Sequence, residues 1–201
     1  MPWLVAAALA FRAEYLFAGL LASFVFFLTA LRQAHGAQHY SLGLGRGAQD
    51  VLLAVLSVLM LASLHALQAT HMHHHKDALG PTDVEGSTAA TTWWRALLGG
   101  PWFIVALHVQ GVRLATARQR RWIVFEGIAI GAWIAVTFAF GAAWLQWFVI
   151  AMAAGECLTG FFAVWTVLEH HLFPAVPTPR LPELARRLER VLPEVTARQV
   201  Y

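Results

Sequence analysis

Cysteine is almost absent from this chain, and charge is scarce. The single cysteine, Cys157, lies inside an apolar run, which excludes an intrachain disulfide and any CxxC metal or redox site. Charged residues make up 12% of the 201 residues and hydrophobic ones 59%, with a mean hydropathy of +0.59, which excludes an average soluble domain. No interleaved basic stripe accompanies the net charge of +3; the basic residues flank hydrophobic segments, so no nucleic-acid partner is expected. The opening MPWLVAAALAF has no basic start and no small-residue cleavage site, so no signal peptide is expected. Internal repeats and low-complexity tracts are also missing. What remains is one integral membrane domain over residues 1–201, all-α in class, with transmembrane helices, a cytoplasmic cap and interfacial helices.

Long apolar runs are what the chain has in quantity. A membrane helix needs about 20 apolar residues. Spans are expected at about 12–32, 122–140 and 143–167, the last two forming a hairpin around Gly141 and Ala142. The run Val51 to Leu64 is 14 residues long before His65 interrupts it, the length of a re-entrant or interfacial helix, here taken as 51–68. Residues 69–121 and 168–201 are then expected on one side. With that arrangement Arg32, Arg46, Lys76, Arg95, Arg113, Arg118, Arg120, Arg121 and the tail share a side, and Arg12 alone lies opposite; the positive-inside rule makes the crowded side cytoplasmic. In the tail, Leu181, Leu184, Leu188 and Val191 form one helical face, as in an interfacial helix.

Histidines stand out against this background. Seven of the ten fall into three groups: His35 and His39 in HGAQH, His71, His74 and His75 in HMHHH, and His170 and His171 in EHHLFP. Positions three or four apart project from one helical face, and each group lies at the same end of an apolar segment, so folding would bring all three to one depth. Neutral imidazoles suit iron, zinc, copper and nickel, and the lack of thiolates argues against structural zinc or an iron–sulfur cluster. Seven histidines exceed the needs of one ion, so two metal ions are expected, with iron favoured. The bland alternative for HMHHHK alone is a metal-sticky loop, and for a single histidine a hydrogen-bonded interfacial residue.

The order HxxxH, HxxHH and a late EHHLFP resembles the histidine boxes of the membrane fatty-acid desaturase family. HGAQHYSLGLGRGAQD looks like its first box, HALQATHMHHHKDALGPTDVEG its second, and EHHLFPAVPTPRLPELARRL its third, so the likeness runs from about Gln33 to Leu188. The resemblance implies a non-haem diiron centre held by His35, His39, His71, His74, His75, His170 and His171, a lipid or fatty-acyl substrate within the membrane lipids, and an external electron-transfer protein. It implies an oxygen-dependent desaturase; hydroxylases and carotenoid ketolases share the boxes. Two departures accompany it. The third box normally reads HxxHH or QxxHH, but Val167 stands three before His170, and no further histidine precedes it in GECLTGFFAVWTVLEHHLFP. A catalytically silent metal-binding protein is therefore the rival from another class.

Other residues are candidates for completing the site. His65 lies six residues before His71 on the same expected helix, and His108 could return from the cytoplasmic stretch, though a lone histidine on an apolar face is commonly just packed. His73 should project away from His71 and His75. Asp50, Asp83, Glu85 and Glu169 could orient metal-bound imidazoles; equally, Asp50 could cap a helix starting at Val51, and Asp83 and Glu85 could be solvated loop charges. Glu156 is an acid inside the last span, where a charge is costly. It lies 14 residues before His170, about 21 Å along a straight helix, which suits a substrate tunnel better than a metal shell. The basic face with Arg113, Arg118, Arg120 and Arg121 could dock an acidic electron carrier or simply set topology.

Overall fold

The computed structural model describes residues 16–77, 80–87 and 93–172, with side chains for 23–77, 80–87, 94–95 and 98–157. Its elements are α1 (Leu16–Gln38), α2 (Arg46–Met60), α3 (Leu64–His74), α4 (Trp93–Leu98), α5 (Gly100–Leu114), α6 (Ala117–Phe140) and α7 (Ala143–Leu172). No strand occurs among the described residues. The expected tail helix lies outside them.

On α1 the residues Phe26, Phe27, Ala30, Ala34 and Ala37 recur at helical spacing and are buried, whereas Phe24, Val25 and Leu28 on the other side are exposed. The buried stripe meets Leu53, Leu56 and Met60 of α2, Leu64 of α3, and Phe148 and Met152 of α7 to form the core. Among the described residues, α6 is the one helix that by itself is long and apolar enough to cross a membrane, and only 11% of its apolar window is buried within the chain. The expected run at 51–68 is two helices. Taken together α2 and α3 pass the same length and apolarity test, but they bend by 111° at their junction, as a broken span or re-entrant loop does.

That bend has named causes. Leu61 ends α2 in the left-handed region at φ 63°, a conformation costing a non-glycine residue about 1–2 kcal/mol. Ser57 bridges the break, donating its hydroxyl to the Leu53 carbonyl at 2.8 Å and accepting from the Leu64 N–H at 2.9 Å. Ser63 caps α3 by accepting from the Ala66 N–H. Asp50 is not a helix cap: α2 begins four residues earlier, at Arg46, and Asp50 is buried within it. Across the molecule α3 packs closely on α5, where Gly111 sits so tightly on the Ala66 carbonyl that an added Cβ would overlap it. The capping box of Thr116 and Gln119 starts α6, and Gly141 separates it from α7. The last helix then continues unbroken past the expected span end at residue 167, as far as Leu172.

Candidate metal centre

The C-terminal ends of α1 and α3 meet. His35 lies in the last turn of α1 and His39 just beyond it, its N–H still donating to the His35 carbonyl at 3.2 Å. Gly36 makes room here, since a Cβ would collide with the Leu42 side chain at 2.5 Å. His71 and His74 lie in the last turn of α3, and His75 caps it. As a result His35, His39, His71 and His75 each offer a ring nitrogen within 4.8 Å of the others.

Three Nε2 atoms converge: His39 to His71 at 2.9 Å, His75 to His71 at 3.1 Å, and His75 to His39 at 3.2 Å. Nitrogens each about 2.0–2.1 Å from one shared cation lie at such separations. Hydrogen bonding on the far side of the rings supports the same reading. His71 Nδ1 lies 2.8 Å from Glu85 Oε1, and His74 Nδ1 lies 2.7 Å from Asp83 Oδ2. Assigned from these partners, both rings carry their proton on Nδ1 and leave Nε2 as a lone pair, the form that binds metal. Burial pushes the Glu85 carboxyl up, but the hydrogen bond it accepts from His71 works against this, and Glu85 is held below the ordinary carboxylate value. Asp83 is itself held, accepting from the Gly86 N–H at 2.9 Å, and Gln110 ties the same loop to α5 through the Thr82 carbonyl at 2.6 Å.

His74 is buried beside the group of four, its ring centroid 5.8 Å from that of His75 and 6.1 Å from that of His71. His73 turns to Thr82, with Nε2 2.9 Å from Oγ1. His170 and His171 lie in the final turn of α7 and Val167 and Glu169 just before them; the side chains of all four are outside the described ones. Asp83 and Glu85 are therefore histidine partners and not solvated loop charges.

His65, His108 and Asp50 are placed elsewhere. His65 Nδ1 lies 2.5 Å from Glu126 Oε1, its Nε2 3.6 Å from Asp50 Oδ1, and its ring stacks on Trp122 at 5.1 Å with planes 3° apart. Asp50 is ion-paired with Arg118 and accepts from the Tyr40 hydroxyl at 2.8 Å. His108 donates from Nδ1 to the Ile104 carbonyl at 2.8 Å and accepts at Nε2 from the Ser63 N–H at 3.0 Å. Both of its nitrogens are thus used, Nε2 in holding the start of α3 and Nδ1 within α5. Glu156 is buried in α7 and is not one of the converging group, which His35, His39, His71 and His75 form. Glu126 went unremarked in the sequence, although it is fully buried on α6, accepts from the Ser63 hydroxyl at 2.6 Å, and pins the start of α3. The available signal was the one applied to Glu156: an acid inside an apolar span needs a partner.

Compared with known proteins, the chain matches no protein-family model, no curated protein and no solved structure.

Proposed function

We propose that this chain is a membrane-bound, oxygen-dependent diiron oxidoreductase acting on lipid acyl chains, most simply as a desaturase. The observation that carries the reading is the convergence of His35, His39, His71 and His75 from two separate histidine groups, with acids orienting His71 and His74. His35, His39, His71, His74 and His75, joined by His170 and His171 at the end of α7, would hold the two ions. Bound iron would supply the reduction of oxygen and the oxidising power to remove hydrogen from an unactivated C–H bond. Desaturation takes two hydrogens from adjacent carbons and reduces O2 to two waters, drawing two electrons from a separate electron-transfer protein and two protons from water. Glu85 and Asp83 keep His71 and His74 in the metal-binding tautomer, and the apolar helices would keep water from the substrate chain. Hydroxylation or ketolation would use the same groups with the substrate carbon placed differently.

A second reading is a membrane metal-binding protein without catalysis. It is favoured by the fact that the described residues bring four histidines into one group, enough for a single ion. Iron analysis of the purified chain, with mass spectrometry of lipids and carotenoids from an expressing host, separates the two. Two irons per chain and a new unsaturated or oxygenated lipid support the oxidoreductase; one zinc ion with unchanged lipids supports the second reading. In this reading the histidine centre faces the cytoplasm, so tags in the loop at Gly80 to Thr92 and after Tyr201 should report cytoplasmic and one at Gly141 the opposite side.

A further inference from the structure

The start of α6 combines charge, aromatic surface and an apolar helix face. Arg118, Arg121, Trp122 and Phe125, at positions i, i+3, i+4 and i+7, lie on one side of the helix and line a cavity of about 490 Å³. Two of these side chains are held in place from behind. Trp122 stacks on the buried ring of His65 and meets Phe125 edge-on at 5.9 Å, while Arg118 is ion-paired with buried Asp50 yet keeps about half its side-chain surface exposed. A guanidinium has five N–H donors, and one carboxylate contact leaves others facing outward. Arg121 is exposed beside it. Around and beyond Phe125 the outer helix surface is apolar and bare, with Val124 and Ile128 exposed.

We propose that this surface binds an anionic phospholipid of the surrounding bilayer, its phosphate on Arg118 and Arg121 and its acyl chain along Trp122, Phe125 and the outer face of α6. The charge suits a phosphodiester, since arginine matches phosphate oxygens in pairs. The order of residues suits a lipid specifically, because the basic pair lies at the boundary where the apolar stretch of the candidate span begins and aromatic rings occupy the level expected of a membrane interface. Because Trp122 and Arg118 are fixed by His65 and Asp50, little ordering cost falls on binding. The proposal rests on the membrane reading of α6 and not on iron, so metal-free protein serves for its test.

The test is native mass spectrometry of the full chain released from micelles containing phosphatidylglycerol or phosphatidylcholine. The unaltered chain should retain phosphatidylglycerol in preference. Arg121→Gln should weaken that retention roughly fivefold, the effect of one arginine at a charged membrane surface, while Arg113→Gln on α5 should leave it unchanged. Equal retention of both lipids by the unaltered chain overturns the proposal whatever the variants do. Equal weakening by Arg113→Gln also overturns it, by reducing the preference to general charge. Displacement of the lipid by inorganic phosphate alone, or retention of an acidic protein with no lipid, would assign the arginines to another ligand. Failure here leaves the metal reading standing, and absence of iron leaves this one standing.

Discussion

His65 and His71 lie on the same helix, six residues apart, and both donate Nδ1 to a glutamate, yet they belong to different kinds of chemistry. Around His71 the second nitrogen meets two other imidazoles, from His39 and His75, and the glutamate is on a loop at the surface end of α3. Around His65 the second nitrogen points toward Asp50 at 3.6 Å, and Glu126 on α6 is fully buried. The first arrangement gathers lone pairs and could hold a cation. The second places a histidine between two carboxylates, with Arg118 beside one of them, and holds helices together. Being a histidine near other histidines does not decide the role; the surroundings of the second ring nitrogen do, three imidazole nitrogens converging in one case and a carboxylate 3.6 Å away, too far for a hydrogen bond, in the other.

Glu126→Ala should break the second region most severely. It removes a fully buried carboxylate that takes the His65 ring and the Ser63 hydroxyl, and breaking a buried pair costs about 3–5 kcal/mol. Thermal unfolding in detergent should show a large loss of stability while the folded fraction keeps its metal; loss of metal at unchanged stability would merge the two regions into one.

Glu85→Gln tests the first region in the opposite sense. Replacing the acid that orients a metal-bound histidine typically lowers metal affinity about 10–100-fold, and the fold should survive because Glu85 is half-buried in a loop. Chelator competition measures the first effect and unfolding the second. His108→Ala should cost about 1–3 kcal/mol by leaving the Ser63 N–H without its acceptor, with metal content unaltered. A similar contrast separates neighbours in the second box: His74→Ala should lower metal occupancy more than His73→Ala, since His73 faces Thr82.

The smallest effect is expected at Val167. A histidine there would stand one turn before His170 and His171, so under the proposed function Val167→His should slow metal loss to a chelator modestly. Faster metal loss, or misfolding of the variant alone, would make Val167 a packing residue.

The pairs at i and i+4, His35 with His39 and His71 with His75, were legible because they are properties of one helix turn. Acids following the second box were legible as candidates, but whether Asp83 and Glu85 faced water or histidine depended on how loop 80–87 folds against α3. Of the two alternatives for Asp50, the cap fails for a local reason: the apolar run begins at Val51, but the helix starts at Arg46 on a glycine-rich polar stretch. His65 and His108 looked like spare ligands because nothing near them in sequence uses their nitrogens. Their partners Glu126 and Ser63 are 61 and 45 residues away.

By composition and periodicity alone this chain is helical and apolar, with one run, residues 122–140, that falls in the helix able to cross a membrane by itself and histidines in ligand-like pairs. Those are short-range properties, set by backbone geometry and by how many apolar side chains follow one another. Tertiary structure decided which histidines converge, that the run after Val51 folds as two helices bent by 111°, and that Glu126 takes Nδ1 of His65. Each of those outcomes depends on which distant polar group satisfies a buried one, a matching that sequence spacing does not specify because desolvation penalises any unpaired group equally, wherever along the chain its partner lies.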